Sequence, residues 1–130
     1  MNEPIRILFV APTRTDRAAT LLEREDERFT TETAADGTRG LARLATGEFD
    51  CVVSEYGLPD ADGIEFLESV RAEHPDLPFV LHTATGSEAI ASDAIAAGVS
   101  DYLPKESDGK GYERLASSID EAVTHARTRY

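Results

Sequence analysis

The sequence is poor in basic residues. Thirteen lysines and arginines stand against 25 acids, leaving a formal charge of −12 at pH 7. Phosphate backbones and anionic membrane surfaces recruit clustered Lys and Arg, so neither nucleic acid nor a membrane is expected as a direct partner. The one cysteine, Cys51, excludes an internal disulfide and gives no sign of an oxidising compartment. It lies inside an apolar run and reads as a small core residue. No apolar stretch approaches the roughly 18 residues of a membrane span, and the N-terminus lacks the apolar core of a signal peptide. There is no P-loop, no Gly-x-Gly-x-x-Gly and no Gly-x-Ser-x-Gly elbow. His74, His82 and His125 have no cysteine or acid at ligand spacing, so no metal site is read from them. Asp60-Ala61-Asp62-Gly63 has the look of a calcium loop but lacks its further ligands, and Asp62 reads as a helix start. These absences leave a soluble, cytoplasmic, single domain over residues 1–130.

The bases that are present are unusual in kind. Lys105 and Lys110 are the only lysines, against 11 arginines. An acid-rich, lysine-poor surface resembles proteins of salt-loving organisms. Self-repulsion at −12 weakens a compact state in dilute buffer and salt screens it, so stability is expected to rise with KCl.

Apolar runs and turn signals divide the chain into alternating strands and helices. Ile5 to Val10 is apolar at five of six positions and reads as a buried strand. Thr13 and Thr15 offer cap oxygens to a helix carrying Ala18, Leu21 and Leu22, which ends at the charge cluster Glu23 to Arg28. Phe29 to Thr33 is a Thr-rich edge strand. Asp36 caps a helix with Leu41, Leu44 and Ala45 on one face, closed by Gly47. Cys51 to Val53 is a third strand, followed by a loop marked by Gly57, Pro59, Asp60 and Gly63. Ile64, Phe66, Leu67 and Val70 give a helix that stops before Pro75. Phe79 to Leu81 is a fourth strand, Ser87 to Ala97 an Ala-rich helix closed by Gly98, and Asp101 to Leu103 a fifth strand. Glu106 to Gly111 reads as a polar loop. Tyr112, Leu115, Ala116, Ile119 and Val123 line one face of the last helix, where His125, Arg127 and Arg129 suit the negative end of its dipole or begin a further segment.

Strands apolar on both faces, alternating with helices, predict a (βα)5 doubly wound open parallel sheet. The common strand order is 2-1-3-4-5, a flavodoxin-like arrangement with its crevice at the carboxyl ends of the first and third strands. The residues that follow the strands then converge. They are Ala11 and Pro12, Ser54 and Glu55, Thr83 and Ala84, and Pro104 and Lys105. A carboxylate, a hydroxyl and an ammonium meet at one mouth, though each alone is an ordinary strand-end residue.

Asp50 to Gly63, with Glu55 four residues ahead of Pro59 and then Asp62-Gly63, resembles the strand-3 motif of the receiver domain of two-component response regulators. Phe79 to Ala84 resembles the family's fourth strand ending in Thr-Ala, and Asp101-Tyr102-Leu103-Pro104-Lys105 its fifth strand with aromatic and lysine. The likeness covers nearly the whole chain and is strongest to receivers of haloarchaea. It implies a non-enzymatic signalling module, with Glu55 at the phosphoacceptor position and Thr83, Tyr102 and Lys105 at the switch and phosphate-site positions. The partners it implies are a histidine kinase or output domain. It also implies an output face on the fourth helix, fifth strand and last helix, open to homodimerisation.

The sequence departs from the family at two places. The family's acidic pair, which holds Mg²⁺, falls on Ala11 and Pro12, and neither offers a side-chain oxygen. Asp16 lies a helical turn further on and is expected to point away. The phosphoacceptor Asp is here Glu55, longer by one C–C bond of ~1.5 Å. A Glu55–Lys105 ion pair would neutralise the crevice without metal. No cofactor is therefore expected, and Mg²⁺ only as the family's implication. Glu55 is then either a built-in mimic of the phosphorylated state or the filler of a dead site. Three alternatives stay open: a receiver still phosphorylated in a phosphorelay, the non-catalytic input domain of a sensor kinase, and remotely an FMN redox domain. Against the last, Arg14, Asp16 and Arg17 crowd the Thr13-x-Thr15 stretch where a flavin phosphate loop needs small residues.

Overall fold

The computed structural model of the chain describes residues 3–13, 15–84, 86–105 and 111–128. Five strands, β1 (Ile5–Val10), β2 (Phe29–Ala34), β3 (Cys51–Ser54), β4 (Phe79–Thr83) and β5 (Asp101–Pro104), pair in parallel in the order β2-β1-β3-β4-β5. Between and after them run α1 (Thr15–Glu23), α2 (Gly37–Thr46), α3 (Gly63–Glu73), α4 (Glu88–Ala96) and α5 (Gly111–Arg127). The fold is the doubly wound sheet expected from the sequence. Among the described residues, no helix is long and apolar enough to cross a membrane.

The period-2 alternation of the strands builds a core on each face of the sheet. Ile5, Ile7, Phe9, Cys51, Val53 and Val80 pack under α1 and α5 with Leu22, Leu115 and Ile119. Leu8, Val10, Val52, Phe79 and Leu81 pack under α2, α3 and α4 with Phe66, Leu67 and Ala94. The central strands β1, β3 and β4 are buried almost throughout, whereas β2 and β5 carry half-buried and exposed residues as edges do.

Local chemistry sets the element ends. The Asp36 carboxylate accepts from Arg39 N at the start of α2. Asp62 and Glu65 form a reciprocal capping box on α3, which makes Asp62 a helix start. Ser87 caps α4, and Gly98 takes φ +94° just past its end. The Arg127 guanidinium donates to Pro4 O at 2.8 Å and pairs with Glu3 and Asp50. Arg127 thus ties α5 back to the start of β1.

Two expectations need correction. Ala45 is exposed, because α2 turns Gly37, Gly40 and Leu44 inward and Ala45 lies a further 100° round the helix. Gly40 lies against Phe66, where an added Cβ would approach the ring to 3.0 Å. Gly111 belongs to α5 rather than to the preceding loop, and Glu106 to Lys110 lie outside the described residues, as do Arg14 and Arg129.

One glycine fixes the loop that carries the site. Gly63 N donates to Tyr56 O at 2.6 Å, and a Cβ there would lie 2.6 Å from Glu55 O and 2.8 Å from Tyr56 Cα. The obstruction is backbone, which cannot swing aside as a side-chain tip does. Gly63→Ala is expected to lower unfolding free energy by about 1–3 kcal/mol, read from urea titration. Wild-type stability in that variant would contradict the packing described.

Candidate functional site

The sheet's hydrogen bonding continues one residue past the strands and holds the crevice residues in place. Ala11 N donates to Ala34 O at 3.0 Å, Glu55 N to Val10 O at 3.0 Å, and Lys105 N to Thr83 O at 2.9 Å. Val10 is registered with Ser54, and Thr83 with Pro104. Ser54 is in turn registered with Leu81 and Leu81 with Tyr102, so β1 and β3 stop at one level while β4 and β5 run two residues further, and the side chains that follow the strands share one mouth.

Across that mouth Lys105 Nζ donates to Glu55 Oε2. The Glu55 side chain is 15% exposed and that of Lys105 40%, so the carboxylate is enclosed while the ammonium reaches water. Ala11 is buried, Pro12 forms the exposed rim, and Thr83 is buried at the end of β4. Asp16 faces elsewhere, into a surface hollow with Glu23, Thr31, Glu32 and Arg43. The structure thus brings Ala11, Pro12, Glu55 and Lys105 together around one cavity.

Tyr102 is registered with Leu81 and packs on the α2/α3/α4 side of the sheet. Its Oη is buried, with no hydrogen-bond partner among the described residues. A Cβ on Gly86 would lie 2.7 Å from that oxygen, so the ring reaches under the start of α4.

Mg²⁺ takes near-octahedral oxygen coordination, usually with carboxylates and waters. Ala11 and Pro12 bring no side-chain oxygen, and the Glu55 carboxylate is engaged by Lys105. No cluster of three or more His, Cys, Asp or Glu suited to a metal exists among the described residues. This donor set does not fit the ion.

Several neighbours escaped sequence reasoning. His82 is 5% exposed on the α1/α5 side of β4, its ring 6.4 Å from that of Tyr112. Its Nδ1 finds no partner among the described residues, and burial, then the Lys105 charge, hold the imidazole down to about 4. The signal was present: period 2 through Phe79 to Thr83 puts His82 on the inward face shared by Val80. Asp60, in the loop after Glu55, accepts from Thr38 Oγ1, Gly37 N and Thr38 N at 2.6–3.0 Å. The Thr38 hydroxyl, followed by those two backbone groups, pushes its carboxyl down to about 2 and ties the site loop to the start of α2.

Five parallel strands in this order, with a carboxylate and a lysine meeting at the switch point, define a flavodoxin-like α/β domain of the kind that carries its site at the strand ends. The profile of the response regulator receiver domain matches residues 11–116. The transcriptional regulatory protein ZraR of Salmonella typhimurium is 33% identical over 94 residues, covering 72% of this chain and 21% of its own. The response regulator MprA of Mycobacterium sp. strain KMS is 33% identical over 102 residues, covering 78% of this chain and 44% of its own. This chain therefore spans less than half the length of these relatives. Among solved structures, the signal receiver domain of an HD domain-containing protein from Pseudomonas fluorescens Pf-5 superposes with a TM-score of 0.82 at 26% identity, covering 98% of this chain and 100% of that one. A CheY-like receiver domain protein from Methanospirillum hungatei gives 0.80 at 25% identity over 95% and 99%. The chain belongs to the response regulator receiver domain family, a family of two-component signalling modules.

Proposed function

We propose that this receiver is degenerate: it signals by protein–protein contact, without metal-assisted phosphoryl transfer. The observation that carries the reading is the Lys105–Glu55 pair closing a crevice in which Ala11 and Pro12 supply no metal ligand. Phosphoryl transfer depends on in-line positioning and on charge neutralisation by metal, and a longer acceptor already engaged by lysine has neither. Glu55 acts as a built-in substitute for the phosphorylated acceptor, with Thr83, Tyr102 and Lys105 as the surrounding switch residues. The enclosed Tyr102 Oη supports the inward, activated-like setting.

The partners in this reading are a histidine kinase or an output domain, met on the face of α4, β5 and α5, where a second copy also docks. Ile95 of α4, 71% exposed, gives that side an apolar contact point. Residues 1–130 serve as one module, free-standing or joined to a longer signalling chain, in a cytoplasm whose salt screens the −12 charge.

The expected result for Tyr102→Ala, with no phosphodonor present, is binding to a histidine kinase or self-association weakened roughly tenfold in a chain that stays folded, its melting temperature lowered by the lost ring packing. Gly86→Ala should turn the Tyr102 ring outward, read as a changed fluorotyrosine ¹⁹F shift, because its Cβ would take the space of the hydroxyl. Undiminished binding by a folded Tyr102→Ala, or an unmoved Tyr102 resonance in Gly86→Ala, contradicts this part of the reading.

A further inference from the structure

The crevice holds a cavity of about 360 Å³, within the roughly 300–1,000 Å³ range of small-molecule sites. Its lining is mixed, with polar groups from Thr13, Arg17, Glu55 and Lys105 beside an apolar side made by Pro12 from the loop, Ala18 and Leu21 from α1 and Tyr112 from α5, over the nearly buried Phe9 and Ala11. Its charged groups are Arg17, Glu55 and Lys105. Lys105 is committed to Glu55, while Arg17 has no acidic partner among the described residues. The guanidinium is thus the excess charge of this cavity, in a chain that is strongly acidic overall. An acidic pair at positions 11 and 12 would fill the same wall with negative charge. Here Ala11 and Pro12 make that wall apolar.

We infer that this cavity binds a small organic anion with a compact apolar body, such as an aromatic carboxylate, and that this ligand is the module's effector. The carboxylate meets the planar fork of Arg17, which suits it bidentately. The body lies against Ala11, Ala18, Leu21 and the Tyr112 ring, where burial of apolar surface drives association. The Lys105–Glu55 pair closes the floor without repelling the ligand, since the glutamate charge is already offset. The inference rests on the degenerate-receiver reading, because a metal and its acids would occupy the same space.

The test is a benzoate titration of the full chain, followed by amide NMR at Ala11, Thr13 and Lys105 without Mg²⁺. Benzyl alcohol serves as the neutral isostere and inorganic phosphate as the anion without apolar body. Benzoate should give saturable shifts with a dissociation constant of the order of 1 mM. Benzyl alcohol and phosphate should each bind roughly tenfold more weakly. Arg17→Ala should weaken benzoate by a similar factor. So should Ala11→Asp, a substitution the fold accommodates in family members with an acid there. Absence of saturable shifts overturns the inference, as does equal binding of benzoate and either comparison compound, or indifference to Arg17→Ala. These readouts involve no phosphodonor. Silence toward benzoate in a chain that also resists phosphorylation defeats only this inference, whereas phosphorylation of Glu55 defeats the reading beneath it.

Discussion

The triple variant Ala11→Asp, Pro12→Asp, Glu55→Asp gains one phosphoryl group from acetyl phosphate in Mg²⁺, while Glu55→Asp alone gains none. The single change shortens the acceptor by ~1.5 Å but leaves Ala11 and Pro12 as the wall, so no metal bridges donor and acceptor. The triple change restores carboxylates at the positions that hold Mg²⁺ in the family's active members. The backbone needed to aim them is already present, since Ala11 and Glu55 are fixed by hydrogen bonds to Ala34 O and Val10 O. Lys105 stays in place to meet the phosphoryl oxygens. Labelling of Glu55→Asp alone would mean that the deficiency lies in acceptor length and not in the metal ligands. Intact mass after incubation distinguishes the two.

Acid is expected to destabilise the fold through His82 well before the carboxylates titrate. In the folded chain burial, with Lys105 adding to it, holds the imidazole at about 4, against 6.5 when the chain is unfolded. Between those values the unfolded state binds a proton that the native state refuses. Stability is therefore complete above pH 6.5 and declines as the pH falls to about 4. A displacement of this size corresponds to about 3 kcal/mol for a side chain only 5% exposed. The Asp60 carboxyl, held down to about 2, works in a lower window: its contribution is present above 3.8 and lost as the pH falls through about 2. His82→Leu removes the group that titrates and its unpartnered Nδ1. Urea titrations at pH 7 and pH 5 should show the wild type losing stability between them and His82→Leu losing far less. Parallel losses in both proteins would clear His82 of the effect.

The architecture was legible because each element carries its own punctuation. Asp36, Asp62 and Ser87 mark helix starts, Gly98 marks an end, and apolar runs mark the strands. The meeting of Glu55 and Lys105 was legible for a topological reason. Parallel strands in the order 2-1-3-4-5 bring their last residues to one edge, so position after a strand becomes position in space. What stayed hidden depends on close approach between segments distant in sequence. Nothing local to Gly86 says that the Tyr102 hydroxyl fills the space beside it, nor does anything local to Gly63 say that Glu55 O lies 2.6 Å from its missing Cβ. Thr38 and Asp60 are likewise joined only by the fold. The inward position of His82 follows from strand alternation with Val80, and it has no ligand spacing to a cysteine or acid.

The most direct measurement on the central claim is the intact mass of the wild-type chain after incubation with acetyl phosphate and Mg²⁺. With Lys105 engaged by Glu55 and no oxygen ligand from Ala11 or Pro12, the mass is expected to stay that of the unmodified chain. A phosphoryl adduct mapped to Glu55 would contradict the account and make this protein an ordinary phosphorelay receiver with a glutamate acceptor.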